Sequence, residues 1–599
     1  MTQNPTPKSK KKVETTAQRL NSLIKSCRDF MRKDRGLSSD VDRLPQLTWL
    51  MFLKFLDDME KNEEQDKLAE GLEYHPIIPA PYRWRDWAID SDKKGLTGDE
   101  LIAFIQNDET VLPTGERGEG LIMALRDLGK QARNDYDRRF IIANVFKDTF
   151  NRMVSGYLLR DVINLLNGIH FDSSEEVHIM GDLYENLLQQ MRDSAGSAGE
   201  FYTPRAVVRF MVERINPQIG ETIEDPACGT GGFLVEAFKH LYTQAQQGKV
   251  EQRQFVQRNT IHGTEVKPLP YLLVQMNLLL HGMESPKISY ENALKNPLAD
   301  ITSADQVDII LTNPPFGGEE EKSILKNFPT NPTAETALLF LQLIMRKLRK
   351  NSEVAGRAAI VVPNGILFGD GVCARIKEQL LKECHLHTII RLPNGVFAPY
   401  TSIPTNLLFF DTSKPTDSIW YYELPLPEGR KSYTKTKALQ YSDFADCQNW
   451  WDNRIENDQA WRYDFKQVLA AAKQQAQPHW DKARKAQLNA DSTVTAINQE
   501  VDNLKNLDKA TGEAKATLLK ISDLKQQESE QRAIAKDEQR KGDALYWAVY
   551  NLDQKNPSTA QDFEHLPPEQ LVAGVIEKEQ RILELMAEIK QSLEFDNSH

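Results

Sequence analysis

Hydrophobic positions along the first 170 residues recur at three- and four-residue intervals. In "LPQLTWLMFLKFLDDMEKNEE", from Leu44, the repeat ends in charge, and "FIIANVFKDTFNRMVSGYLLRDVINLLNGI", from Phe140, carries the same spacing. That spacing lines apolar side chains along one helix face, so 1–170 is expected to form an α-helical domain. A Gly/Ser-containing break, "RDSAGSAGEFYTP" from Arg192, changes the style. Between Glu221 and Asp411 short apolar runs such as "TIHGTEV", "KISYENAL", "VDIILTNPPF", "RAAIVVP" and "LHTIIRLP" alternate with helical segments such as "FLVEAFKHLYTQA", "PYLLVQMNLLLHG" and "ETALLFLQLIMRKL". Alternation of this kind marks a parallel sheet flanked by helices, an α/β fold, here expected over 171–414 with "TNLLFFD" as its closing strand. A polar connecting segment, 415–470, then carries an aromatic cluster at Trp450, Trp451 and Trp461. From about Lys466 the chain is rich in Gln, Lys, Glu and Ala. Val494, Ile497, Val501 and Leu504, and later Ile582, Met586, Ile589 and Leu593, follow alternating three and four steps, predicting coiled-coil-like helices over 471–599 that pack on each other or on a partner.

Composition narrows the class. A chain of 599 residues exceeds one ordinary core, and length alone suggests about four domains. Hydrophobic content of 40% and charged content of 27% describe a soluble globular protein, and no apolar run approaches the roughly 20 residues of a membrane span. The start, "MTQNPTPKSKKKVETT", is basic without an apolar core, so no secretory signal is read and a cytoplasmic location is expected. Cys27, Cys228, Cys373, Cys384 and Cys447 lack CxxC spacing and a nearby His pattern, so neither a metal site nor a disulfide framework is expected. The net charge of -12 argues against a wholesale polyanion-binding surface but leaves room for a local basic channel, or one shared with a partner.

The candidate chemistry lies at the carboxyl ends of four successive strands, where open α/β sheets bind ligands. After the first, "EDPACGTGGFLVEA" places Asp225 at a strand end, then a tight loop with Gly229, Thr230, Gly231 and Gly232, then a helix. The glycines let a ligand approach the helix N-terminus closely. No Lys-Ser or Lys-Thr follows, so this is not a Walker A loop, and Leu234 stands where the dinucleotide fingerprint needs its third glycine. An adenosine-bearing ligand without a polyphosphate fits. Glu265, at the end of the second strand, can accept hydrogen bonds from both ribose hydroxyls and would repel a 2′-phosphate; Asn292 follows the third.

The fourth strand ends in Asn313, Pro314, Pro315 and Phe316. Two prolines stiffen the turn and leave the Pro314 carbonyl outside helix-type hydrogen bonding. With the Asn313 side-chain oxygen, that makes two fixed acceptors matched to a planar exocyclic amino group. Accepting both hydrogens favours a more tetrahedral, nucleophilic nitrogen, while Phe316 offers a face for the ring that bears it. Transfer from a sulfonium methyl then needs positioning and electrostatics, with neither metal nor covalent nucleophile.

These stretches resemble the DNA adenine-N6 methyltransferases, and within them the modification subunits (HsdM-like) of type I restriction-modification systems. "GEFYTPRAVVRFMVE" from Gly199, "DPACGTGGFLVEA" from Asp225 and "TNPPFG" from Thr312 stand in that family's order, and the resemblance covers roughly residues 15 to 470. It implies a Rossmann-like S-adenosylmethionine-dependent methyltransferase domain behind an N-terminal α-helical domain. It implies that Glu200, Phe201, Tyr202, Thr203, Pro204, Arg205, Asp225, Thr230, Gly231, Gly232 and Glu265 line the cofactor pocket, with Asn292 near the cofactor adenine. Asn313 to Phe316 would hold a target adenine flipped out of double-stranded DNA. No sizeable recognition domain follows Asp411, so sequence choice is expected from a specificity subunit, usually one per two modification subunits, and cleavage from a restriction subunit. Two other readings stand at this point: methylation of a protein glutamine or ribosomal-RNA amine, and a non-catalytic scaffold of a defence complex. An ATPase is disfavoured by the missing Walker A loop.

Overall fold

The computed structural model describes residues 16–88, 95–133, 137–171, 179–188, 203–283, 286–350, 355–398, 401–507 and 512–557, with 579 and 586. Helices dominate the N-terminal part: α1 (Thr16–Lys33), α2 (Asp40–Ala69), α3 (Gly98–Gln106), α4 (Leu121–Asp127), α5 (Arg138–Lys147) and α6 (Gly156–Leu166), with a small antiparallel hairpin of β1 (Glu109–Val111) and β2 (Arg117–Glu119). The unbroken run from Trp49 to Leu53 is buried, so α2 is covered on more than one face and is the central helix of this part.

Nine strands form the second sheet: β3 (Ile223–Asp225), β4 (Ile261–Glu265), β5 (Lys287–Tyr290), β6 (Ile309–Thr312), β7 (Arg357–Pro363), β8 (His385–Arg391), β9 (Thr405–Asp411), β10 (Ile419–Glu423) and β11 (Ala460–Tyr463), in the spatial order β11-β10-β8-β9-β7-β6-β3-β4-β5. Pairings from β5 through β7 are parallel, as is β8 with β10. "TNLLFFD" does not close the sheet: β9 is inserted antiparallel between β7 and β8, and β10 and β11 extend the sheet beyond it. Every residue of β6 is buried, as the middle of a sheet covered on both faces requires. Chain order reverses at β3, whose neighbours are β4 and β6, and this creates the crevice at its carboxyl end.

Helices α7 (Arg205–Ile215), α8 (Gly232–Ala245), α9 (Pro268–Leu280), α10 (Thr336–Lys347) and α11 (Val372–Glu383) belong to this α/β layer. Every residue of α9 from Pro270 to Leu280 is buried, because α2 and α5 cover the face it turns away from the sheet. One apolar core therefore runs from Leu20 in α1 through α9 to Leu407 in β9. After β11 the chain forms a long hairpin of α12 (Phe465–Lys505) and α13 (Gly512–Trp547), closed by Ala472, Ala476, Ala483, Ala486 and Ala490 on one helix and Ala514, Ile521, Ala535 and Gly542 on the other. Ile582, Ile589 and Leu593 lie outside the described residues, and Met586 is exposed. No helix among the described residues is long and apolar enough to cross a membrane.

Candidate functional site

A cavity of about 310 Å³ opens at the carboxyl ends of β3, β4, β5 and β6. Asp225 ends β3 and is buried; its Oδ1 accepts from Thr312 Oγ1 (2.6 Å) at the end of β6 and from Ala227 N (3.1 Å) in the following loop. Burial pushes this carboxyl up to about 7 in spite of those bonds, and the negative charges of Glu265 and Glu224 act in the same direction.

The loop from Pro226 to Gly231 is shaped by its own chemistry and held by its neighbours. Gly231 N donates to Cys228 O (2.7 Å), and Gly231 caps α8 with φ +79°, where a Cβ would also fall 2.5 Å from Val274 Cγ2 on α9. Both the left-handed backbone and the close approach demand glycine. Glu265 on β4 clasps the loop: its carboxylate accepts from Gly229 N (2.9 Å) and Lys267 N (2.8 Å), one bond to each oxygen. Burial raises the Glu265 carboxyl, and these amide bonds offset only part of that. From below, Asn277 of α9 donates from Nδ2 to Thr230 O (2.8 Å).

Asn292, two residues past β5, holds its turn by accepting from Leu294 N (2.9 Å) and lies 3.5 Å from a Glu320 carboxylate oxygen. Asn313 follows β6 directly. Its Nδ2 donates to Thr203 Oγ1 (3.0 Å), while its Oδ1 is buried with no hydrogen-bond partner among the described residues. Pro314 is buried, Pro315 exposed and Phe316 half-buried, with the Phe316 ring edge-to-face against Phe397 at 5.4 Å.

Of the residues singled out from sequence, Thr203, Asp225, Gly229, Thr230, Gly232, Glu265, Asn292 and Asn313 to Phe316 line the one cavity. Gly231, Pro204 and Arg205 are not part of its described wall. Gly231 serves the packing against α9, Pro204 precedes α7, and the Arg205 guanidinium pairs with Glu185 and fills the space beside Gly232. Glu200, Phe201 and Tyr202 lie outside the described residues. Several participants were not singled out: Thr312, Lys267, Glu291, Glu319 and Glu320 in the wall or its support, Phe397 behind Phe316, and Asn277 beneath the loop. Only Asn277 left a signal, as an amide inside the otherwise apolar "MNLLL".

The cavity has the makings of a methyl-transfer site: a glycine loop, an acid on the next strand, and a stiff turn that presents an acceptor beside an aromatic ring. Comparison with known proteins agrees. The N-6 DNA methylase family matches residues 175–483 and the HsdM N-terminal domain matches residues 20–166. The EcoEI type I restriction enzyme methylase subunit of Escherichia coli is 47% identical over 460 residues, covering 75% of this chain and 88% of that protein. A crystal structure assigned to a type I modification subunit from Vibrio vulnificus YJ016 superposes with a TM-score of 0.68 at 60% identity, covering 77% of this chain and 94% of the other. A chain from a solved type I restriction-modification system spans 98% of this one and 100% of its own length, with a TM-score of 0.67 at 32% identity. The chain belongs to the N6-adenine DNA methyltransferases as the modification subunit of a type I restriction-modification system.

Proposed function

We propose that the cavity binds S-adenosylmethionine with its adenosine between Glu265 and Asn292 and its methyl donor end toward Asn313, and that an adenine flipped from double-stranded DNA enters beside Phe316. The buried, unpartnered Oδ1 of Asn313 carries this reading. A buried polar atom without a partner is costly in an isolated protein, on the order of 1–3 kcal/mol, and the cost is tolerated where a ligand supplies the missing donor. An adenine N6–H is such a donor. Thr203 holds the amide nitrogen, so the oxygen is presented in one orientation.

The donor set fits the cofactor. Ionised Glu265 has about four acceptor sites, and the amides of Gly229, Lys267 and Val266 do not use all of them, so it can still accept from a ribose hydroxyl. When bound, S-adenosylmethionine supplies an electrophilic methyl group on a cationic sulfur. Asn313 and the Pro314 carbonyl draw on the N6 hydrogens and turn the nitrogen lone pair toward that methyl, while Phe316 stacks on the base and Phe397 backs the Phe316 ring. A bound S-adenosylmethionine would give up its methyl group to N6 and leave as the neutral thioether, with the surplus N6 proton passing to water. No strong base is needed for that last step, since the methylated amine is cationic before it deprotonates.

In the cell this subunit works in the cytoplasm with a specificity subunit that chooses the sequence, two copies per specificity subunit, and with a restriction subunit whose cleavage the methylation blocks. Asn313→Ala, assembled with the specificity subunit, should lose adenine methylation by on the order of 10²–10³-fold, the scale of one transition-state hydrogen bond, while S-adenosylmethionine binding persists. Methylation at the wild-type rate would sink the assignment.

A further inference from the structure

Behind Phe316 the structure places a basic strap. Residues Gly429 to Gln440 contain Arg430, Lys431, Lys435 and Lys437 and no acidic residue, on a chain whose net charge is -12. Lys431, Lys435 and Lys437 are exposed. The strap is held firmly. Tyr433 at its centre is buried, donates from its amide to Asn394 O (2.9 Å) and from its hydroxyl to Asp443 Oδ2 (3.0 Å), and carries the Arg430 guanidinium 5.8 Å above its ring. Leu439 is a second buried anchor. Tyr433 O presses so closely on Gly395 that a Cβ there would meet it at 2.1 Å, and Gly395 has φ +81°.

The loop that receives Tyr433 also supports the base site. Two residues beyond Gly395, the Phe397 ring meets Phe316 edge-to-face at 5.4 Å. One rigid loop thus joins the wall of the target pocket to the basic strap. Lys431 and Lys435 stand two residues either side of Tyr433, so their Cα atoms are within about 7 Å of the anchor.

An extruded base remains covalently tied to its own phosphodiester, so fixing it against Phe316 fixes the neighbouring phosphates just outside the pocket. An acidic protein must meet those phosphates with local cations, and lysines interleaved with Ser432, Thr434 and Thr436 hydroxyls are the groups that bind them. We propose that this strap grips the DNA backbone flanking the flipped adenine, with Lys431, Lys435 and Lys437 as phosphate contacts and Tyr433 as the positioning residue that ties them to the target pocket. The proposal rests on the reading of Asn313 to Phe316 as the adenine site.

The test uses the complex assembled with the specificity subunit and a duplex containing its methylation site. In Lys431→Gln/Lys437→Gln, the dependence of log affinity on log salt should become shallower by about 1.8, because each lost phosphate contact removes about 0.9. KM for DNA should rise while kcat at saturating DNA and Kd for S-adenosylmethionine stay at wild-type values, the last showing that the fold is intact. Lys431→Arg/Lys437→Arg should keep the wild-type slope. An unchanged slope in the Gln pair overturns the proposal. So does loss of the specificity subunit with a wild-type slope in the remaining complex, which would make the strap a face for an acidic protein. If the wild-type complex methylates no DNA, the adenine-site reading fails and takes the strap with it; if it methylates normally and only the slope prediction fails, the strap alone is refuted.

Discussion

Asp225 is a carboxylate in an environment that disfavours its charge. Its ordinary value near 3.8 is raised to about 7 by burial, so in the unliganded protein the neutral form is the comfortable one. The sign follows from linkage: a raised folded-state value contributes stability fully present below pH 3.8, and that contribution is lost as pH rises through about 7. A cationic ligand reverses the preference, since a positive charge beside Asp225 favours the carboxylate. Affinity for S-adenosylmethionine should therefore increase by roughly tenfold from pH 6 to pH 7–8 and then level off, and Asp225→Asn should flatten the profile. Isothermal titration in buffers of different ionisation heat would detect the accompanying proton release; equal affinity at pH 6 and 8 would show that Asp225 does not sense the ligand. Sequence reading found Asp225 because it ends a strand before a glycine loop, but could not find its partner Thr312, 87 residues away, whose contact exists only because β6 lies beside β3. The same limit explains Gly231 and Arg205. Their motif is visible, but whether a motif residue faces the ligand or the packing behind it depends on Val274 and Glu185, which no local pattern reveals.

At the scale of elements, the first helix of the long hairpin was legible but neither its partner nor its contact, since the second stripe read from sequence, Ile582 to Leu593, lies past α13. Val494, Ile497, Val501 and Leu504, the stripe that predicted it, are only half-buried, whereas the helices close on alanines and on Gly542. Small side chains let the two backbones approach, and no three-four repeat of large residues announces that. Gly542 shows which effect governs. On helix propensity alone, Gly542→Ala should stabilise by about 1 kcal/mol. A Cβ there would lie 2.6 Å from Trp480 Cδ1 and Nε1, and the indole is fixed by donation to Asp543 Oδ1 (3.0 Å) and by the Tyr546 ring at 5.7 Å. Overpacking against a side chain that cannot yield costs about 1–3 kcal/mol, which outweighs the propensity gain. Gly542→Ala should therefore lower the thermal midpoint; a rise would mean that Trp480 has room to turn. The strands past Asp411 were missed for a different reason. "IWYYE" and "AWRY" are short, separated by a long polar stretch, and gain strand character only by pairing with β8 and with each other.

At the scale of the molecule, the run "PYLLVQMNLLL", apolar on all sides, is explained by the helical N-terminal part covering α9, so that part and the methylase sheet share one core. Among the described residues, the hairpin is tied to the methylase sheet at its root. Val549, Tyr550 and Leu552, just past α13, are buried in the core beneath β8 and β10; Leu552 O accepts from Tyr421 Oη (2.9 Å), and Asp553 pairs with Arg391 (2.6 Å). Ending the chain after Lys505 would remove, along with α13, the three buried side chains of this plug at about 1.5–3 kcal/mol each, a sum of the same order as the roughly 5–15 kcal/mol that holds a domain folded. Such a truncation should be insoluble or lose cofactor binding. Shortening the hairpin from its far end should do neither. His479 with Glu538 (2.7 Å) and Trp480 with Asp543 sit near the root, whereas Lys520 with Glu500 (2.6 Å) lies toward the turn. Replacing 490–530 by a short turn keeps the root pairs and the plug at Val549 to Leu552 while removing nearly half of two helices that, at 1.5 Å per residue, project about 50–60 Å. The shortened subunit should keep its thermal midpoint and its affinity for S-adenosylmethionine yet fail to co-purify with the specificity subunit. Retained assembly would move the docking surface off the hairpin tip, and loss of cofactor binding would mean that the hairpin supports the catalytic body along its whole length.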